Sequence, residues 1–274
     1  MSTEIINTEI KEQKLSSKKN HRLLFTLFWV IVFLIFAGRF FYDLKVYFWG
    51  DVLVYSSERY GGYDYLLHLP RGYTDFGGAR PLLIYLHGAG EVGTNVRTIK
   101  KHNPVHYING KIPPKDFPFI VVSPITPIHG WKPSQVIKLL DKIQNDNGKR
   151  WKIDPARIYL TGMSMGGFGT FATACEYPER FAAIIPVAGG GDPKKADKLI
   201  NLPTWAFHGN ADDVVNYNCT ADMIKEMNKI GCKEVKFTTL EGAGHGIAQT
   251  VYRNPKPYQW LNQQKNYSQE SKRR

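Results

Sequence analysis

Three side chains in this sequence are of the types that together break an acyl bond. Ser164 stands in Gly162-Met163-Ser164-Met165-Gly166, Asp212 in His208-Gly209-Asn210-Ala211-Asp212-Asp213, and His245 in Gly242-Ala243-Gly244-His245-Gly246. A serine hydroxyl is a weak nucleophile at neutral pH and needs an imidazole to take its proton. The imidazole needs a carboxylate to fix its tautomer and stabilise its cation. Backbone amides of Met165 and Ala89 are the candidates for stabilising the oxyanion that such an attack creates. Each assignment has a competitor. Asp213 competes with Asp212 and otherwise caps the following turn. His87 and His208, each in a His-Gly pair that ends an apolar run, read as structural residues whose imidazoles bond loop backbone. His68, His102, His106 and His129 have no metal-ligand spacing, and neither a metal nor a cofactor is expected. Trp131, beside Gly130, is a candidate for lining an acyl or aromatic pocket, with ordinary loop packing as the equal alternative. Gly189-Gly190-Gly191 reads as a tight loop rather than a phosphate cradle, because no Gly-Lys-Ser/Thr follows it.

The elements that must position these residues alternate between strand and helix. Short apolar runs at Leu82–Leu86 and Phe119–Val122 fit strands buried on both faces, and Arg157–Leu160, Phe181–Val187, Pro203–Phe207 and Val235–Leu240 are further strands. Val52–Ser56 and Tyr63–Leu69 read as two strands around Gly61-Gly62. Helical patterns cover 133–147, 168–176, 216–230 and most of 246–261, with a helix-like 193–200. Such alternation predicts a mostly parallel sheet covered by helices on both faces. Ser164, Asp212, His245 and the His87-Gly88-Ala89-Gly90 loop each follow a strand, and active sites of open parallel sheets collect at the carboxyl ends of strands. Ser164 lies where a strand must turn sharply into a helix, and glycines two residues to either side remove the β-carbons that would collide there.

Several stretches resemble the α/β-hydrolases of the esterase/polyhydroxybutyrate-depolymerase-like group. They are 153–167 (Ile-Asp-Pro-Ala-Arg-Ile-Tyr-Leu-Thr-Gly-Met-Ser-Met-Gly-Gly), Tyr177 to Ala183, Leu86 to Glu91, Trp205 to Gly209, and Gly242 to His245. That group includes feruloyl-esterase-like enzymes and proteins called predicted peptidases. The resemblance covers about residues 52–265. It implies an α/β-hydrolase fold and a serine hydrolase of carboxylic esters that works through an acyl-enzyme, with Ser164, His245 and Asp212 as its triad. The same triad suits a peptidase or an acyltransferase, and a catalytically inactive, membrane-tethered binding module is a third reading. Two positions depart from the group: Ile125 where glutamine often follows Ser-Pro, and Gly246 where aspartate often follows the histidine. Both departures are expected on the substrate side.

Ahead of the catalytic domain, Leu23 to Gly38 is sixteen residues without a charge. At about 1.5 Å per residue it falls slightly short of a hydrocarbon core of about 30 Å. Extension to Tyr42 closes the gap, with Arg39 snorkelling and Phe40, Phe41 and Tyr42 at the interface. The run exceeds a usual signal-peptide core and no Ala-x-Ala-like site follows, so a signal-anchor helix over 23–42 is expected. Lys11, Lys14, Lys18, Lys19 and Arg22 precede it, against Arg39 and Lys45, which leaves the N-terminus cytoplasmic and the catalytic domain at 51–265 extracytoplasmic. Residues 1–22 and 266–274 read as polar tails. The net charge is +12, of which residues 1–22, 23–50 and 263–274 carry +2, +1 and +3. The remaining +6 forms no basic stripe with interleaved aromatics, so no nucleic-acid partner is expected. The excess suits solubility and mild attraction to anionic membranes. The expected partners are therefore an ester substrate, small or polymer-linked, and the membrane; oligomeric state is left open. Cys175, Cys219 and Cys232 form no disulfide framework. Cys219 and Cys232 flank a predicted helix and lie about 20 Å apart.

Overall fold

A computed structural model describes residues 23–42, 45, 51–55, 63–74, 77–108, 116–146, 151–266 and 268. The expected tail at 1–22 lies outside the described residues, as does that at 266–274 apart from residues 266 and 268, of which Asn266 is not a free tail but donates to the Phe181 carbonyl at 3.1 Å. The chain divides into two compact units, 1–45 and 46–274. In the first, the described residues form helix α1, Leu23–Tyr42, whose apolar side chains are exposed around its circumference. Twenty residues at 1.5 Å each make a rod of about 30 Å, long and apolar enough to cross a membrane. The Arg39 guanidinium lies 5.6 Å from the centre of the Tyr42 ring, which places the single charge of the segment at its carboxyl end.

The second unit is built on one eight-stranded sheet. Its strands are β1 Asp51–Tyr55, β2 Tyr65–Leu69, β3 Arg80–Leu86, β4 Ile120–Pro124, β5 Ile153–Met163, β6 Ala183–Val187, β7 Thr204–Gly209 and β8 Val235–Leu240. The order across the sheet is β1-β2-β4-β3-β5-β6-β7-β8. β1, β2 and β4 pair antiparallel, and every pair from β4 to β8 is parallel. The helices are α2 Pro104–Ile108, α3 Pro133–Asp146, α4 Met165–Glu176, α5 Asn218–Lys229, α6 Ala248–Tyr252 and α7 Pro255–Gln263. The inner strands β3, β4 and β6 are buried along almost their whole length, whereas the edge strand β8 is half-exposed with Lys236 outward. Continuous apolar runs therefore mark the strands that carry helices on both sides.

Strand alternation divides the core. Leu83 and Tyr85 of β3 and Tyr159 of β5 face Tyr252 of α6 and Tyr258, Trp260 and Leu261 of α7. Leu82, Ile84 and Leu86 point the other way, toward the side where α3 and α4 pack. Three sequence expectations change in detail. The strand expected at Arg157–Leu160 runs from Ile153 to Met163, because Ile153 pairs with Arg80 and a register shift between Arg80 and Leu82 lets Asp154-Pro155 pass without ending it. The helix-like 193–200 is a 3-10 helix over Pro193–Leu199 whose buried residues, Ala196 and Leu199, are three apart, as its three-residue turn requires. The long helical region 246–261 is two helices, broken at Arg253-Asn254. Asn254 there caps α7 by accepting from the Lys256 amide, and Pro255 occupies the first turn.

The hydroxyls of Tyr159, Tyr252 and Tyr258 are hydrogen-bonded in the core. Tyr258 donates to the Tyr252 carbonyl at 2.8 Å, and Tyr159 to the Gln264 carbonyl at 2.9 Å. The Thr161 hydroxyl donates to the Ile185 carbonyl at 2.6 Å and so accepts from Tyr252 at 2.9 Å. Burial pushes the phenols of Tyr85, Tyr159, Tyr252 and Tyr258 upward, and charge repulsion from neighbouring tyrosines adds to this for Tyr85 and Tyr258. In the unfolded chain these phenols ionise near pH 10. Their stabilising contribution is therefore full below about pH 10 and is lost as pH rises from there through the folded-state values. Burial raises the Cys175 and Cys232 thiols as well, so denaturant titration of the full chain in mild detergent should give an unfolding free energy that is level to about pH 8 and declines gently from there to about pH 10. Above that it should fall by up to about 1.4 kcal/mol per pH unit for each such tyrosine. A curve that stays level to about pH 11.5 would refute this account of the core.

Candidate active site

β5 delivers the backbone at Met163, and α4 begins at Met165. The residue between them, Ser164, has φ 58° and ψ −118°, in the left-handed region that non-glycine residues rarely occupy. Holding it there costs about 1–3 kcal/mol, which the surrounding structure must offset. The Ser164 amide donates to the Val187 carbonyl at 2.9 Å and its carbonyl accepts from Phe168 at 3.1 Å, tying both sides of the turn. The flanking glycines are required by contact. A β-carbon on Gly162 would lie 2.7 Å from the Leu86 carbonyl oxygen, and one on Gly166 would run into the carbonyls of Leu86 and His87. The end of β3 thus lies directly against the turn that presents Ser164.

His245 and Asp212 reach the serine because two loops are stitched together. The Ala211 amide donates to the Ala243 carbonyl at 3.0 Å, and the Gly242 amide to Asn210 Oδ1 at 2.7 Å. Gly209 leaves no room for a β-carbon against the Ala243 and Gly244 carbonyls. His245 Nε2 lies 2.9 Å from Ser164 Oγ, and its Nδ1 lies 2.8 Å from Asp212 Oδ2. Because a carboxylate only accepts, Nδ1 carries the proton, and Nε2 presents its lone pair to the serine hydroxyl. The Asp212 carboxylate is fully buried, while the His245 ring is 22% exposed. Burial raises the Asp212 carboxyl, but hydrogen bonds from His245 and from the amides of Val215 and Val214 outweigh it and hold the group below its ordinary value. Those amides bond Asp212 Oδ1, each at 2.9 Å. The turn-capping role considered for Asp213 thus belongs to Asp212, whose Oδ1 caps the turn while its Oδ2 meets His245.

The structure brings Ser164, His245 and Asp212 together and sets the two proposed amides near them. Met165 and Ala89 each open a helical turn, where a backbone N–H has no partner within the turn. A β-carbon on Gly88 would sit 3.7 Å from the Ser164 β-carbon, so the loop carrying Ala89 touches Ser164. His87 is structural, as the sequence suggests. Its Nδ1 donates to the Gly88 carbonyl at 2.7 Å and its Nε2 accepts from the Thr126 amide at 3.1 Å. Burial lowers its pKa, which keeps the ring neutral in that arrangement. His208 bonds backbone too, at the Val215 carbonyl, but it also touches Asp212 Oδ2 at 3.1 Å, a contact that the sequence gives no sign of.

Trp131 is packed into its loop and also borders a cavity. Its indole donates to the His87 carbonyl at 3.1 Å and packs edge-on against His87 and Tyr63. One face also borders an open apolar cavity of about 410 Å³ with Gly130, Met165, Phe168, Gly169 and Ala172. Gly169 lies under the indole, where a β-carbon would be 2.7 Å from it. Ile125 is not on the substrate side; it is 3% exposed and belongs to the core that includes Tyr252 and Ile247. Gly246 is exposed with open space where a side chain would project. The glycine run 189–191 is neither a left-handed turn nor a cradle. It lets the chain leaving β6 pass against Gly167, Cys219 and Met223. All three cysteines are free, and Cys175 is buried.

Comparison with known proteins finds similarity to esterases. Residues 132–255 match the Phospholipase/Carboxylesterase family. The chain is 27% identical over 179 residues to a bifunctional acetylxylan esterase/xylanase of Neocallimastix patriciarum, covering 62% of this chain and 24% of that protein. It is 25% identical over 211 residues to acyl-protein thioesterase 1 of Debaryomyces hansenii, covering 62% and 86%. Among solved structures, a thermostable esterase superposes with a TM-score of 0.65 at 28% identity, over 79% of this chain and 63% of that one. The chain therefore spans under a quarter of the first relative and under two thirds of the thermostable esterase. The parallel sheet, the strained serine between β5 and α4, and these similarities give the chain an α/β-hydrolase fold that is similar to those of known esterases.

Proposed function

We propose that this protein is a membrane-anchored serine hydrolase that cleaves carboxylic esters through an acyl-enzyme. The carrying observation is the unbroken chain Ser164 Oγ, His245, Asp212, at 2.9 and 2.8 Å. In this reading Ser164 Oγ attacks the ester carbonyl carbon as its proton passes to His245 Nε2. The amides of Met165 and Ala89 accommodate the oxyanion. Collapse of the tetrahedral species breaks the bond to the alkoxy oxygen, which leaves as the alcohol with the proton from His245. Water then attacks the acyl-serine, giving its proton to His245, and the carboxylic acid and free serine are restored. Asp212 stays ionised throughout, because its hydrogen bonds hold its pKa low. The cavity beside Trp131, Phe168 and Ala172 adjoins Met165 and is the acyl site of this reading. The exposed apolar helix α1 supports the anchor, and the basic residues before it support a cytoplasmic N-terminus with the catalytic domain outside.

The full chain in detergent should label with a fluorophosphonate at Ser164 and hydrolyse short p-nitrophenyl esters, and Ser164→Ala should abolish both. Asp212→Asn should lower kcat by about 10²–10⁴-fold, because His245 loses the partner that fixes its tautomer. An unlabelled, inactive but folded wild-type protein would sink the proposal and leave the inactive-module reading. Narrowing the cavity with Ala172→Phe should raise KM for aromatic or long-chain esters several-fold, with acetate esters little affected; equal changes for all esters would place the acyl group elsewhere. Protease added to right-side-out vesicles should digest the catalytic domain while sparing an N-terminal tag, and the reverse pattern would overturn the orientation.

A further inference from the structure

The second histidine on Asp212 has a protonation state that its neighbours dictate. The His208 side chain, on β7, is fully buried, as is the Asp212 carboxylate. Its Nε2 lies 3.0 Å from the Val215 carbonyl oxygen and 3.1 Å from Asp212 Oδ2, and neither oxygen has a proton to give. Its Nδ1 lies 2.7 Å from Thr220 Oγ1. The single hydroxyl proton of Thr220 is committed elsewhere: Oγ1 stands 2.6 Å from the Gly189 carbonyl oxygen, which only accepts. Thr220 must therefore accept from Nδ1, and Nε2 must donate to the Val215 carbonyl, with Asp212 Oδ2 beside it at ion-pair distance. Either neutral tautomer leaves two lone pairs facing each other, at 3.0 Å beside Val215 or at 2.6–2.7 Å around Thr220. In a site closed to water, one such unmade hydrogen bond costs about 1–3 kcal/mol.

We propose that His208 is a positioning residue, a buried imidazolium that pins the Asp212 carboxylate against His245 and tunes how readily His245 accepts a proton. The titratable groups facing it are Asp212, the ring of Tyr217 at 5.8 Å between centroids, and His245 across the shared carboxylate. Asp212 and His208 together are neutral, so protonating His245 takes the cluster from zero to a net positive charge. With an uncharged residue at 208 the same step would go from a negative charge to zero. A nearby cation disfavours a second one, so His208 keeps His245 available as a base at lower pH. This rests on the reading of Ser164, His245 and Asp212 given above.

The direct test reads protonation and needs no activity, so it can fail independently of the esterase proposal. The full chain, ¹⁵N-labelled at histidine and held in detergent micelles, would be observed by NMR at about pH 8, where an unperturbed histidine is neutral. His208, assigned through His208→Gln, should show protons on both ring nitrogens, and Asp212→Asn should remove one. A singly protonated His208 in the wild-type chain overturns the proposal. The second test is kinetic. In His208→Gln the acid limb of kcat/KM against pH should move up by about one unit. Thr220→Val, which deprives Nδ1 of its acceptor, should move it the same way, while Thr220→Ser should leave it in place. An unmoved limb in both folded His208→Gln and Thr220→Val would refute the tuning role. If His208→Gln does not fold, Thr220→Val alone decides.

Discussion

The close approach of the end of β3 to the turn between β5 and α4 is the constraint on which the rest of the site depends. Leu86 and Gly162 are paired in parallel register, and the Leu86 carbonyl lies where β-carbons of Gly162 and Gly166 would otherwise be. That contact holds Ser164 in its left-handed conformation and brings the His87–Gly90 loop alongside it in one step. The strain at Ser164 is local, but what sustains it is a sheet contact between segments 76 residues apart in sequence.

A second layer of bonds then keeps the proximity. His87 is fixed between the Gly88 carbonyl and the Thr126 amide, and its own carbonyl holds Trp131. The loop after β3, the loop after β4 and the start of α4 are therefore one assembly, to which Gly130 adds a contact from its amide to the Met165 sulfur. On the other side of the serine, the loops after β7 and β8 are joined through Asn210, Ala211, Gly242 and Ala243. Ser164 lies between two crosslinked pairs of loops, all at the carboxyl ends of parallel strands. The position of Ser164 thus follows from strand direction, and its alignment with His245 from loop-to-loop hydrogen bonds.

Asp212 concentrates these demands in one buried carboxylate. Oδ1 closes its own turn through the Val214 and Val215 amides, and Oδ2 meets His245 and His208. A buried carboxylate with fewer partners would take up a proton and cease to orient the imidazole. The hydrogen-bond set around Asp212 is therefore part of the site's electrostatics as well as its shape.

Much of this was legible in the sequence because it is local. Gly162 and Gly166 around a serine between an apolar run and a helix state a steric requirement that five residues can express, and apolar runs without alternation betray strands covered on both sides. The choice of Ser164, Asp212 and His245 follows from residue types at strand ends. What the sequence leaves open depends on contacts between distant segments. Register against Arg80 carries β5 back through Asp154-Pro155, which reads as a boundary in isolation. Ile125 looked like a substrate-side substitution because it follows Ser-Pro in the chain, yet strand alternation turns it into the core. The touch of His208 on Asp212 arises only because the loop folds back by four residues after β7, and a burial that excludes water then decides which nitrogens carry protons. Sequence determined which groups are present and which local turns they need; the tertiary structure decided which of them face one another, because only packing brings two acceptors to the same proton.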